Sequence, residues 1–203
     1  MTIFYELDNA LYVNITNQCP CSCVFCIRNS TDVIRDSESL WFLSHEPTFE
    51  EIKEDFKRFD ISKYKEIVFC GYGEPTERLK TLIKTATFLR QETNLPIRLN
   101  TNGLGELINK GEKITPLLKG LFDTVSISLN APNSKRFVQV TNSAFGEKSF
   151  EALLSFAKDA KEVFPEVVFT VVDVISEDEI KACQSLADEM GIKLRVRTYV
   201  ENY

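Results

Sequence analysis

The chain has 203 residues, of which 43% are hydrophobic and 27% charged, and carries a formal net charge of −6. This is the composition of an ordinary globular domain long enough for one substantial core, and it excludes a disordered or fibrous chain. No apolar run is long enough to span a membrane, the first residues lack the basic start and apolar centre of a signal peptide, and an acidic chain argues against a nucleic-acid substrate.

Taken in order, Ala10–Thr16 reads as a first strand, followed by a cysteine-dense loop and an irregular polar stretch from Asn29 to Pro47. A helix begins at Thr48, an N-cap with Glu51 three residues on, and carries Phe49, Ile52, Phe56 and Phe59 at helical spacing. Glu66–Gly71 is the second strand, and Pro75-Thr76-Glu77 opens a helix through Leu79, Leu82, Ile83, Ala86 and Leu89. Pro96–Asn102 is the third strand, closed by Asn102-Gly103. A helical region runs to Leu121, interrupted near Gly111 and restarted at Thr115-Pro116. Asp123–Asn130 is the fourth strand, Ser149–Phe164 a helix stopped by Pro165, and Val167–Ile175 the fifth strand. Ser176 to Glu179 head a helix that runs to Met190 and ends at Gly191, and Lys193–Val200 is the sixth strand.

No internal repeat or flexible linker interrupts this order, so the whole of 1–203 reads as one domain. Strands alternating with helices imply parallel βαβ units with right-handed crossovers. Strands buried on both faces read as continuous apolar runs. Several here alternate instead: Leu11, Val13 and Ile15 against Tyr12, Asn14 and Thr16; Ile97 and Leu99 against Arg98 and Asn100; Val125 and Ile127 against Ser126 and Ser128; Leu194 and Val196 against Arg195 and Arg197. One face of each strand suits helices and the other a polar, ligand-sized space. The expected fold is therefore α/β: a partial (β/α)6 TIM-like barrel of parallel strands with an open lumen. Charges such as Arg195 and Arg197 also guard edge strands against pairing.

Four of the six cysteines, Cys19, Cys21, Cys23 and Cys26, fall within eight residues directly after the first strand. So dense a thiol loop points to metal and, without a secretion signal, to the reducing cytoplasm. Cys19, Cys23 and Cys26 have a spacing that lets three thiolates wrap one corner of an iron–sulfur cube and leave one iron open. The alternative is a zinc knuckle with Cys21 or His45 as fourth ligand. Cys70 and Cys183 read as buried thiols.

The Cys-x3-Cys-x-Phe-Cys pattern from Cys19 to Cys26, with Phe25 as the aromatic, resembles the cluster loop of radical S-adenosylmethionine (radical SAM) enzymes. The resemblance implies a 4Fe–4S cluster on Cys19, Cys23 and Cys26, with S-adenosylmethionine bound at the open iron. Reductive cleavage there produces a 5′-deoxyadenosyl radical that abstracts hydrogen from a substrate. It implies an electron donor of flavodoxin or ferredoxin type. Gly71-Tyr72-Gly73-Glu74-Pro75 resembles the Gly-Gly-Glu-Pro turn that holds the cofactor's amino group, with Tyr72 inserted, so that either Gly71 or Gly73 could supply the carbonyl. Asn100 precedes a Thr-Asn-Gly strand ending similar to the family's. Ser126, Ser128 and Asn130 match positions for the cofactor's carboxylate or ribose, Phe25 and Val172 or Val174 lie where adenine is contacted, and Arg195 or Arg197 would meet an anionic cofactor or substrate group. No C-terminal auxiliary-cluster domain is visible.

The crowded cysteine loop after Tyr-Val-Asn-Ile-Thr-Asn, with Gly-Tyr-Gly-Glu-Pro-Thr, is most similar to the compact TatD-associated radical SAM proteins. This implies association with a TatD-type hydrolase. A core with so little protein around it implies a peptide, a protein or a bulky metabolite as substrate. A glycyl-radical activase would use the same core, and the zinc reading leaves a non-catalytic binding module.

Overall fold

The computed structural model describes residues 1–29 and 39–199. Among these residues seven strands form one sheet in sequence order: β1 (Phe4–Leu7), β2 (Ala10–Val13), β3 (Glu66–Phe69), β4 (Ile97–Thr101), β5 (Thr124–Ser128), β6 (Glu166–Val172) and β7 (Lys193–Arg197). All neighbours from β2 to β7 are parallel, and the sheet does not close. The six expected strands are β2 to β7, mostly trimmed by a few residues at their ends. The last residue of the expected sixth strand and positions 30–38 of the polar stretch lie outside the described residues.

β1 was not expected. It pairs antiparallel with β2 across a two-residue turn, Asp8-Asn9. Both turn residues have positive φ, 49° and 63°. Such a turn follows the strand twist and accepts Asn and Asp at low steric cost. β1 thereby occupies the free edge of β2, and the barrel seam lies between β1 and β7.

Among the described residues six α-helices accompany the strands: α1 (Phe49–Phe56), α2 (Leu79–Glu92), a single turn α3 (Gly105–Ile108), α4 (Ser134–Thr141), α5 (Lys148–Val163) and α6 (Glu177–Met190). The apolar strand face meets them, with Leu11, Val13, Ile67, Phe69, Leu99, Val125, Ile127 and Phe169 fully buried. From the helices come Ile52, Leu82, Leu89, Phe156 and Cys183, so Cys183 is the buried thiol the sequence suggested. Phe59 falls just past α1 but still packs on the Phe4 ring, 5.9 Å between centroids. The helical region to Leu121 is only α3 and a 3-10 turn at Pro116–Leu118, because Gly111 and Lys110 both take positive φ.

α4 was also missed. Asn133 caps it by accepting from the Arg136 amide, and Asn142 ends it in the left-handed conformation, φ 45°. At the start of α1, the Thr48 amide, followed by the His45 ring, holds the Glu51 carboxyl down to about 2 from 4.5. His45 is thus engaged in a helix cap, with Nε2 2.9 Å from Glu51.

A depressed folded-state value means that the contribution of Glu51 is complete above its unfolded value and is lost as pH falls through about 2. Acid unfolding followed by circular dichroism is expected to fall more steeply in the wild type than in Glu51→Gln over that interval. Parallel curves would contradict the assignment.

Candidate functional site

The cysteine loop follows β2 and is fastened far along the chain. The amides of Ser22 and Val24 donate to the carbonyls of Thr141 and Val140, at 2.9 and 3.0 Å. The last carbonyls of a helix have no partner within it. Here the loop supplies two. In return Asn142 Nδ2 donates to the Ser22 carbonyl and the Ala144 amide to that of Pro20. Arg28 braces the same loop through Nη2 to the Cys21 carbonyl, 3.1 Å.

Within the loop the thiols divide. Cys19, Cys23 and Cys26 are half-buried, whereas Cys21 is buried in the hydrophobic core. A hydrogen bond with Cys21, then burial, holds the Cys19 thiol far above its ordinary range. Cys21 is itself pushed up to about 12: its bond to Cys19 lowers the value, but one to Cys23 together with burial outweighs it. These are protonated thiols that a metal would have to deprotonate.

Among the described residues no three His, Cys, Asp or Glu side chains converge on a single metal ion. The ring of His45, the histidine offered as a fourth zinc ligand, is committed to Glu51. A 4Fe–4S cube makes a different demand, since each thiolate takes a different iron and the ligands stand apart. Cys19, Cys23 and Cys26 are half-exposed on one fixed loop and so open to such a group, while the buried Cys21 thiol bonds to Cys19 and Cys23.

The turn after β3 sits against the segment that leads into the loop. A Cβ on Gly71 would lie 2.1 Å from Asn14 Oδ1, and one on Gly73 would lie 2.4 and 2.6 Å from the carbonyls of Thr16 and Gln18. Both glycines are therefore required by protein packing on the chain after β2. Tyr72 is likewise turned away from the turn's open side: it is buried, with its ring edge-on to Trp41 at 5.0 Å.

Glu74 is buried and receives donors from two sides. Thr76 gives its amide and hydroxyl and Thr101 its hydroxyl to Oε1, and the Asn102 amide reaches Oε2 at 2.7 Å. Burial raises its pKa and these bonds oppose the rise. The carboxylate thus ties the β3 turn to the end of β4, and its charge is felt by Cys19.

The polar strand faces enclose a cavity of about 610 Å³. Phe25, Cys26, Gly71, Asn100, Ser128, Asn130 and Arg197 all line it, as does Val172. Ser126 shares their face but is buried between Asn100 and Val168. Asn130 takes φ 54° at the end of β5 and its amide donates to the Thr170 carbonyl. Cys70, expected in the core, lines the cavity instead, where burial raises its pKa and a hydrogen bond with Asn100 opposes the rise. Sequence reasoning did not single out Arg98 and Tyr12, which also line it, although both stand on the polar side of the alternation.

An open parallel α/β barrel, with a three-cysteine loop at the C-terminal end of its first parallel strand and a polar lumen beneath, defines a class of barrel enzymes that use a cluster on that loop. The model of the radical SAM superfamily matches residues 13–187, and the chain belongs to that superfamily. Radical SAM enzymes bind a 4Fe–4S cluster and S-adenosylmethionine. Solved structures share the fold at low identity. A radical SAM methyltransferase from Sphaerobacter thermophilus matches at 16% identity and TM-score 0.61, over 96% of this chain and 68% of that one. SuiB of Streptococcus suis bound to S-adenosylmethionine matches at 20% and 0.64, over 93% of this chain and 38% of that one. Methylornithine synthase (PylB) matches at 13% and 0.63, over 94% and 53%. The chain therefore spans between 38% and 68% of the length of these neighbours. No curated protein sequence matches it.

Gly73→Ala must push a methyl into two backbone carbonyls, so it is expected to lower stability of the metal-free protein by about 1–3 kcal/mol. Urea unfolding measures this. An unchanged midpoint would show that the turn has room.

Proposed function

We propose that the chain reductively cleaves S-adenosylmethionine to start radical chemistry on a substrate. The observation that carries this reading is that Cys26 and Phe25, from the loop held on α4, share one cavity with Gly71, Asn100, Ser128 and Asn130. Cys19, Cys23 and Cys26 would hold the cluster. When bound, the cluster supplies the single electron that splits the cofactor's sulfonium carbon–sulfur bond, and the cofactor supplies the 5′-deoxyadenosyl radical.

The remaining work falls to this chain. Carbonyls of the Gly71–Glu74 turn would accept from the cofactor's amino group. Tyr72 anchors that turn by packing on Trp41, and Glu74 acts on it as a positioning residue, since four protein donors already converge on its carboxylate. Ser128 and Asn130, supported by the buried Ser126, face the carboxylate or ribose, and Asn100 offers an unpartnered Oδ1 to a donor. Phe25 and Val172 form apolar walls for the base. Arg197 at the rim would meet the cofactor's carboxylate.

We further place the chain with the compact TatD-associated radical SAM proteins, on its Cys-Pro-Cys-Ser-Cys loop and Gly-Tyr-Gly-Glu-Pro-Thr turn. A flavodoxin- or ferredoxin-type donor, a TatD-type hydrolase and a peptide, protein or bulky metabolite substrate belong to the same proposal.

Anaerobically reconstituted protein, reduced with dithionite, tests it through 5′-deoxyadenosine formation. Wild type is expected to form the product, Cys23→Ala to fall to background and Cys21→Ala to retain most of it. Equal loss in both variants would overturn the ligand assignment.

A further inference from the structure

Among the described residues the lumen is lined by more arginines than carboxylates. Three arginines line it, Arg98 from β4 and Arg195 and Arg197 from β7, against two carboxylates, Glu66 and Asp8. Only Arg98 has an ion pair among the described residues, through Nη2 to Glu66 Oε1 at 2.8 Å. Its side chain is only 12% exposed, yet its buried Nε has no hydrogen-bond partner among the described residues. A buried guanidinium N–H left without an acceptor is costly. Arg195 lies close enough to feel both other guanidiniums: burial first, then Arg98 and Arg197, lowers its pKa. Like charges gathered in one cavity ask for an anion, and the planar fork of arginine suits a two-oxygen acceptor.

We propose that Arg98 and Arg195 form a subsite for an oxyanion carried by the substrate, a carboxylate or a phosphoryl group. This rests on the lumen being the reaction chamber of the proposed function. The backbone of Arg98 stands four residues, about 13 Å, down β4 from Asn102, whereas Arg195 is in register through Thr170 with Ser128 near the end of β5, so the two arginines approach the subsite from different depths. The substrate is therefore an anion at one end, with its reacting carbon on the Cys26 side of the same cavity. Tyr12 and Thr170 beside the subsite offer hydroxyls to the same group.

The competing role for Arg195, guarding the edge of β7, requires charge but no ligand, and the two are separable. Binding of inorganic phosphate and of acetate is measured by titration calorimetry on reconstituted protein saturated with S-adenosylmethionine, at ionic strength held constant with chloride. Saturable one-to-one binding of at least one anion is expected, with a roughly tenfold or greater loss in R98Q and R195Q. Tighter phosphate assigns a phosphoryl group and tighter acetate a carboxylate. R195Q, on an exposed strand, keeps the test valid if R98Q fails to fold. No saturable binding of either anion, or unchanged affinity in R195Q, overturns the subsite. Production of 5′-deoxyadenosine is assayed on the same wild-type sample. Product without anion binding removes the subsite alone, and anion binding without product leaves a binding site while removing the proposed chemistry.

Discussion

The site depends on the bonding between the cysteine loop and the end of α4. A loop of eight residues bearing four thiols would otherwise sample many conformations, at a cost of roughly 1–2 kcal/mol for each residue later ordered by a cluster. Here its amides at Ser22 and Val24 complete the carbonyls of Thr141 and Val140, and the Asn142 side chain and Ala144 amide return bonds to Ser22 and Pro20. The helix end and the loop each satisfy groups that the other leaves open. As a result Cys21 faces the core, and Cys19, Cys23 and Cys26 keep partial exposure.

A second fastening brings the cofactor turn to the loop. Gly71 and Gly73 let β3's continuation lie directly against Asn14, Thr16 and Gln18, where any side chain would collide. The Glu74 amide donates to the Gln18 carbonyl at 2.8 Å, and its buried carboxylate gathers Thr76, Thr101 and Asn102. Three consecutive strand ends are thereby locked together around one residue, two through its carboxylate and the third through its amide. Rigidity at this rim matters because reacting atoms must be held to a fraction of an ångström. The lumen beneath stays open because its polar face is not filled with aliphatic side chains as a closed barrel's interior is.

Much of this was legible in the sequence, and what was not had a physical reason. Period-two alternation in β4 and β5 located both the helix-facing core and the polar lumen, because each strand meets two different environments. β1 is only four residues long and its role depends on pairing with β2, so periodicity gave no notice of it. The Asp8-Asn9 turn was the available cue. α4 is short and rich in β-branched residues, including Val138, Val140 and Thr141, and is held by the burial of Phe137 and Val140. The motif turn was visible, but its glycines and Glu74 answer to Asn14, Thr16, Thr101 and Asn102, partners that only the fold brings near. Arg98 was visible on the lumen face of its strand, yet its unpartnered Nε is a property of packing.

The central claim is that the three loop cysteines leave one iron of a cluster free to take the cofactor. Pulsed electron–nuclear double resonance on the reduced, reconstituted protein tests this directly, using S-adenosylmethionine labelled with ¹⁵N in its amino group and ¹⁷O in its carboxylate. The account predicts that both labels couple to the cluster spin and that the couplings persist in Cys21→Ala. A fully loaded, reduced cluster that shows neither coupling would contradict it.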